Sequence, residues 1–325
     1  MSQGLEKDVK WESGMLAFLY RQLLVGRPKS LPTSGAYLKD QTAIVTGSNV
    51  GLGLEASRQL LQLGLHRLIL AVRSQEKGDA AAAGLRVDFP AADIKVWILD
   101  MESYDSIVAF AKRCDEDLQR IDIAILNAGL MVNKFQASRL TGHELVFQVN
   151  YLSTALLAIL LLPILRTKRE GLRRSTPDGQ QPPAPARLSI STSDTHYWSV
   201  LNTKYPQMLA RGSIFPQFDQ PEGYDLSLGY RRSKVLVTML AAKLAGQVDP
   251  DDVIINSVTP GLTKGTSFFR DGMENASWIV ERLLGIMFAT MPRTPEVGAS
   301  TYIDATVWKG KESHGNYLGD WRLKP

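Results

Sequence analysis

Residues 230–234 read YRRSK, a phenol and an amine four positions apart. On a helix that spacing puts Tyr230 and Lys234 on one face, about 6 Å apart along the axis. A phenol titrates near pH ~10 and is a slow acid–base group at neutrality. A neighbouring ammonium stabilises the phenolate and lowers that pKa, which makes the pair a usable general acid–base. Alone the pair decides nothing, because a chain with ten tyrosines and many lysines can hold one by chance. Its meaning depends on what the rest of the chain places beside it.

Other residues could share the chemistry. In RLSISTSDTH, a strand starting at Arg187 puts Ser189, Ser191 and Ser193 on one face. Any one of these hydroxyls could orient a substrate oxygen, or cap the strand end. Asn150, in FQVNYLS, is flanked by apolar residues, and its amide is costly to bury without partners. His143 and His196 lie nearest these motifs, but neither has a Cys or His at metal-ligand spacing, so no metal is assigned. A G-x-S-x-G nucleophile elbow is absent.

Positioning such groups requires a frame, and the chain has one. Compact apolar runs TAIVT (42–46), RLILA (67–71), IKVWIL (94–99) and IDIAIL (121–126) are separated by helical patterns. That alternation predicts repeated βα units and a doubly wound parallel sheet, a Rossmann-type α/β fold with helices on both faces. Further strands are expected at RLSIS (187–191), DVIINSV (252–258) and GNYLG (315–319). Residues 1–39 read as an N-terminal extension with an amphipathic helix at 15–26, and residues 40–325 as one domain. The helix is expected to pack on the domain or close a pocket, with a weak membrane-surface contact as the alternative. Two insertions interrupt the rhythm: 166–186, basic then Pro/Gln-rich, is expected to be a mobile surface loop, and 196–229 is long and aromatic.

At the first strand–helix junction stands TGSNVGLG (46–53). Gly47, Gly51 and Gly53 are spaced G-x-x-x-G-x-G, free of side chains where a pyrophosphate could lie on a helix N-terminus. The strand before and helix after raise this weak motif to a strong one. Some ~20 residues on, where an NAD site carries a carboxylate for the ribose, this chain has Val72 and Arg73. A guanidinium grips a 2′-phosphate that a carboxylate would repel, so the charge favours NADP(H).

The 44% hydrophobic and 22% charged composition is that of a globular protein with a sizeable core. A net charge of +4 is too dispersed to argue for nucleic acid. The single cysteine, Cys114, excludes an internal disulfide and suits a reducing, cytoplasmic setting. The longest apolar run, 152–165, is short for a membrane span and carries Pro163, so it reads as a buried helix. The polar start of the chain does not read as a secretory signal, and NAS at 275–277 reads as a chance glycosylation match.

In this order, TGSNVGLG, NAG (127–129), Asn150, a serine after the fifth strand and YRRSK resemble the short-chain dehydrogenase/reductase family over residues 40–320. With its N-terminal extension and long serine-to-tyrosine interval, the chain resembles retinol-dehydrogenase-like enzymes and fungal secondary-metabolism reductases within that family. The resemblance implies cofactor contacts from Thr46, Gly47, Asn49, Gly51, Leu52 and Gly53 in the first turn. It implies others from Asp100 and Met101, with Asp100 on the adenine edge unless it caps a helix. Asn127, Ala128 and Gly129 would lie by the adenosine ribose. Pro260, Gly261 and Thr263 would run under the nicotinamide, with Thr266 competing for the carboxamide contact. Tyr230 would be the acid–base, and Lys234 would also hold the nicotinamide ribose. Ser193, with Ser191 the alternative, would bind the carbonyl oxygen. Asn150 would hold a water relaying protons to Lys234. Arg231 and Arg232 are expected to point away from the substrate. Family members often pair through the helices carrying Asn150 and Tyr230, which implies a homodimer.

The interval from Ser193 to Tyr230 is 37 residues, longer than in the family's compact members. Its Tyr197, Trp198, Tyr205, Phe215, Phe218 and Tyr224 are expected to roof a pocket for a bulky apolar ligand, together with the segment after Gly261. The reading is an NADPH-dependent ketone or aldehyde reductase, or alcohol dehydrogenase, for a lipophilic metabolite such as a polyketide, terpenoid or retinoid-like carbonyl. A non-redox lyase or cyclase, or a cofactor-binding scaffold, are the alternatives on the same fold.

Overall fold

Strands covered by helices on both faces are apolar throughout rather than alternating. TAIVT obeys this as β1 (Thr42–Thr46), all five residues buried. The computed structural model describes residues 8–132, 134–177, 179–180, 182–199, 215–222, 224–264 and 293–325. The remaining strands are β2 (Arg67–Val72), β3 (Asp93–Ile98), β4 (Ile123–Leu126), β5 (Ala186–Ser191), β6 (Val253–Val258), β7 (Tyr317–Gly319) and β8 (Arg322–Lys324). They form one sheet in the order β3-β2-β1-β4-β5-β6-β7-β8. All neighbours are parallel except β8, which pairs antiparallel with β7. The expected doubly wound sheet is therefore present, with the chain reversing direction across it between β1 and β4.

The eighth strand is not expected from sequence. The β7–β8 hairpin turns through Asp320 and Trp321, both at positive φ (53° and 59°). Glycine or asparagine normally signals such a turn, and neither stands there.

Seven longer helices matter for the site. They are α1 (Met15–Leu24), α2 (Gly51–Gln62), α3 (Gln75–Asp88), α4 (Tyr104–Asp117), α5 (Thr154–Ser175), α6 (Leu226–Ala245) and α7 (Pro295–Ile303). Successive β1 side chains enter opposite cores. Ile44 joins Phe110 of α4, Leu157 and Leu161 of α5 and Val237 of α6. Val45 joins Leu60 of α2, Leu85 of α3 and Ile303 of α7.

Helix α5 corrects the loop expected at 166–186. It runs on to Ser175, ten residues into that segment. The basic run is compatible with helix because Glu170 pairs with Arg173 at 2.8 Å and Arg174 at 2.9 Å, and terminal arginines complement the helix dipole. Pro163 is tolerated on the solvent side of the helix. The stretch Leu145–Ser175 is long and apolar enough to cross a bilayer by length and composition. In the fold, however, Leu157, Ala158, Leu161 and Leu165 are fully buried against the sheet.

The N-terminal extension is bound to the domain by buried charges. Arg21 of α1 is 4% exposed. It meets Glu12 at 2.7 Å, Asp320 at 3.5 Å and Asp194 at 3.8 Å. Lys324 reaches Glu12 at 2.9 Å and Asp320 at 3.2 Å, and Arg293 also pairs with Asp320. Helix α1 is thus packed on the domain through Arg21. The other side of α1 leaves Leu16, Leu23 and Leu24 exposed.

Removing one member of a buried ionic network strands the others without a counter-charge. Arg21→Ala is expected to lower stability by about 3–5 kcal/mol, read as a fall in thermal midpoint, with new tryptic cleavage before residue 30. An unchanged midpoint and cleavage pattern would show that the network does not hold the extension.

Candidate active site

The C-terminal edge of the sheet opens into a cavity of about 730 Å³. Its nucleotide end is built by the β1–α2 turn, where Gly47, Asn49, Gly51 and Leu52 line the wall. Gly47 has φ +65°, and a Cβ there would sit 3.0 Å from the Ala128 backbone. A Cβ on Gly53 would fall 2.5 Å from the Gly47 carbonyl and 2.6 Å from the Asn127 amide. Both positions therefore require glycine. Ser74, Ser103, Asp225 and Thr294 cap α3, α4, α6 and α7 with side-chain hydrogen bonds, whereas Val50 before α2 makes none. The first-turn N–H groups of α2 are thus left for an anion, which fits a pyrophosphate.

Around this turn stand Arg73, Asp100 and Met101, then Asn127, Ala128 and Gly129 after β4. Arg73 is largely exposed and pairs with Glu102 at 3.2 Å. Asp100 is not a helix cap: Ser103 caps α4, while the Asp100 carboxylate accepts from the Glu102 N–H at 3.0 Å. Two residues expected to touch cofactor do not line the cavity. Thr46 accepts the Ala128 N–H at 2.9 Å and Gly53 lies beneath the turn, so both shape the wall from behind. Asn127 performs the same service with its side chain, donating to the Thr46 carbonyl at 3.0 Å.

At the other end, α6 is locked to the tip of β5 by two hydrogen bonds. The Lys234 ammonium donates to the Ser191 carbonyl at 2.9 Å, and the Thr192 hydroxyl donates to the Lys234 carbonyl at 2.9 Å. This register brings the Tyr230 hydroxyl into a hydrogen bond with Ser193. Ser193 also meets the Thr195 hydroxyl at 2.9 Å. Ser191 is engaged instead with the Tyr302 hydroxyl at 2.7 Å, so of the two candidate serines it is Ser193 that stands with the tyrosine.

Electrostatics revise one expectation. Desolvation by the surrounding protein pushes the Tyr230 phenol above its ordinary range, and the Ser193 hydrogen bond only partly opposes this. Burial also pulls Lys234 down to about 8. The amine stands 5.8 Å from the centre of the tyrosine ring, and burial outweighs the lowering that the pair spacing implied. The cause is common to both: a low-dielectric wall disfavours each charged form.

Asn150 is held by backbone and side-chain partners. It lies in a π-helical turn (Gln148–Ser153), behind the cavity. Its amide accepts from the Leu130 N–H at 2.8 Å, and donates to the Leu130 carbonyl at 2.9 Å and to Ser233 at 3.2 Å. Both amide hydrogens and one acceptor site of the amide oxygen are thus engaged with protein partners. It holds the segment after β4 beside Lys234; a Cβ on Gly129 would lie 3.2 Å from its oxygen and 3.5 Å from the lysine nitrogen.

Pro260, Gly261 and Thr263 complete the floor, with the Thr263 hydroxyl donating to the Gly261 carbonyl at 3.2 Å. Thr266, Tyr205 and the segment from 265 to 292 lie outside the described residues. Among the described residues no cluster of three His, Cys, Asp or Glu side chains could hold a metal.

The roof differs from expectation. Of the described insertion aromatics only Trp198 lines the cavity. Phe218 stacks on Phe147 at 4.1 Å, Tyr224 donates to Glu144 at 3.1 Å, and Tyr197 donates to the Pro325 carbonyl at 3.0 Å. Each of these is held by partners away from the cavity lining. In their place Phe18 of α1 enters the wall, edge-on to Trp198 at 5.3 Å. Arg231 also lines the cavity, 5.7 Å over the Trp198 ring, where sequence reasoning turned it away. The buried face of the helix at 15–26 was the signal for Phe18; nothing local signalled Arg231.

Comparison with known proteins places this arrangement. Residues 41–172 match the model of the short chain dehydrogenase family. The chain is 48% identical over 325 residues to the short chain dehydrogenase virL of Hypocrea virens, covering all of this chain and 88% of that one. It is 43% identical over 329 residues to the short chain dehydrogenase opdN of Penicillium oxalicum, covering both completely. The oxidoreductase yciK of Escherichia coli shares the fold, with a TM-score of 0.62 at 19% identity over 91% of this chain and 98% of that one. An NADPH-bound short chain oxidoreductase of Pseudomonas aeruginosa superposes with a TM-score of 0.61 at 19% identity, covering 89% and 96%. Identity of this order along whole chains, on a sheet whose open edge carries the glycine turn and the tyrosine–lysine helix, makes the chain a member of the short-chain dehydrogenase family.

Proposed function

We propose that the protein reduces a ketone or aldehyde of a bulky lipophilic metabolite, or oxidises the corresponding alcohol, with NADP(H). The observation that carries this reading is the Ser193–Tyr230 hydrogen bond, set beside Lys234 in the same cavity as an uncapped glycine turn and Arg73. The fungal relatives and the NADPH in the Pseudomonas aeruginosa structure support it. The α2 N-terminus would hold the pyrophosphate, Arg73 the 2′-phosphate, and Lys234 the nicotinamide ribose. When bound, the dinucleotide supplies or accepts the hydride.

The protein's own residues handle the proton. Ser193 directs the substrate oxygen toward Tyr230. A phenol kept above its ordinary pKa is protonated at neutral pH, which is the state a reductase needs in its donor. As the phenol gives up its proton, the charge on Lys234 stabilises the phenolate left behind. The apolar wall of Phe18, Leu130 and Trp198 keeps water from this exchange.

Three outcomes test the reading. Tyr230→Phe should cut carbonyl turnover by on the order of 10²–10⁴-fold while NADPH titration still shows binding. Full turnover in that variant would overturn the proton route. Lys234, at about 8, is an ammonium below that pH and neutral above it. Reductive kcat/KM should therefore fall as pH rises through about 8, and Lys234→Arg, charged throughout, should flatten that limb. A limb that persists unchanged in the arginine variant assigns it elsewhere. Arg73→Ser should raise KM for NADPH relative to NADH by about tenfold or more. An unaltered cofactor ratio would remove Arg73 from the phosphate site.

A further inference from the structure

The cavity wall carries the charged side chains of Arg73, Asp100, Glu102, Asp194, Arg231 and Lys234. Most are engaged within the protein. Arg73 pairs with Glu102, Asp100 accepts a backbone N–H, Asp194 faces Arg21, and Lys234 donates to the Ser191 carbonyl. Arg231 differs. It is half-buried, and its contact is the face of Trp198. Among the described residues no carboxylate, carbonyl or hydroxyl accepts a hydrogen bond from its guanidinium. Five N–H donors, partly desolvated at a cavity wall, leave that capacity for whatever enters.

The neighbours of Arg231 are rigid and apolar. The Trp198 indole N–H donates to the Ser13 carbonyl at 2.7 Å, and Phe18 stands edge-on to the ring. The indole is thus fixed from two sides by the N-terminal extension, and it holds the guanidinium over its face. Asp194, the carboxylate at this end of the cavity, is offset by Arg21, so among the described residues Arg231 and Lys234 set the local field.

We propose that the substrate bears an anionic oxygen, as a carboxylate or an ionised phenol or enol, which Arg231 binds while Phe18 and Trp198 flank its flat apolar body. This substrate class rests on the carbonyl-reductase reading above. The arginine that follows Tyr230 in sequence would thereby orient the carbonyl end toward Ser193 and Tyr230.

The test uses the full chain with saturating NADPH and three matched probes: an aryl keto acid, its methyl ester and its primary amide. The acid should be preferred in kcat/KM by about tenfold or more, through KM rather than kcat. Arg231→Met should bring the acid-to-ester ratio toward one, and Arg231→Lys should keep part of it. A second arm needs no turnover: with NADP⁺ present, an aryl carboxylate should raise the thermal midpoint more than the matching amide, and Arg231→Met should abolish the difference. Equal effects of carboxylate and amide on the wild type, or equal loss of both in Arg231→Met, overturn the inference. A phenol-bearing ketone titrated across its own pKa separates the phenolate from the carboxylate form. If no carbonyl consumes NADPH, the redox reading fails while the midpoint arm still decides the anion. If acid and neutral ketones are reduced alike, only the anion inference falls.

Discussion

Two hydrogen bonds between the tip of β5 and the middle of α6 set the geometry on which the rest depends. Lys234 donates to the Ser191 carbonyl, and Thr192 donates to the Lys234 carbonyl. Together they fix both the rotation and the axial position of α6 against the sheet. A helix turned by one residue would move Tyr230 by about 100° around its axis and out of reach of Ser193. The bond to Ser191 also offers the buried ammonium a carbonyl dipole, although burial still pulls the amine down to about 8. One lysine therefore serves as a strut for the site and as its cation.

The same economy appears in the N-terminal extension. Arg21, Arg293 and Lys324 face Glu12, Asp194 and Asp320 within one buried network of balanced charge. Desolvating six charges is costly, and the network is tolerable because each has opposite neighbours. What it secures is position. It joins α1 to the β7–β8 turn and to Asp194, the residue after Ser193, so the segment holding the proposed oxygen-binding serine is braced from outside the sheet. The same docking brings Phe18 into the cavity against Trp198. An extension outside the repeated βα frame thereby becomes part of the cavity wall.

Tyr230 and Lys234 are both shifted toward their neutral forms by the same desolvating wall. For a proton donor that is no handicap, since the phenol must arrive protonated. The proposed chemistry then depends on charge that develops during reaction, where a preorganised cation acts most strongly.

Periodicity and local chemistry made the architecture legible in the sequence. Apolar runs with helical spacers specified β1 to β7; the continuous burial of strands between helices marks β1, β2, β4 and β6, while the edge strand β3 alternates. Glycines at 47 and 53 were legible because no other residue fits their turn, and Tyr230 with Lys234 because helical geometry is local. What the chain could not announce were contacts between distant segments. Phe18 meets Trp198, and Arg231 lies over the same ring, through packing of three separate elements. Phe218, Tyr224 and Tyr197, expected over the pocket, went instead to Phe147, Glu144 and the C-terminus, since an aromatic pattern shows that a residue will be buried but not where. The pKa values likewise belong to the tertiary structure. Spacing set which charge stands near Tyr230, but the sign of the net shift came from how completely the folded wall excludes water, which depends on every element around the cavity.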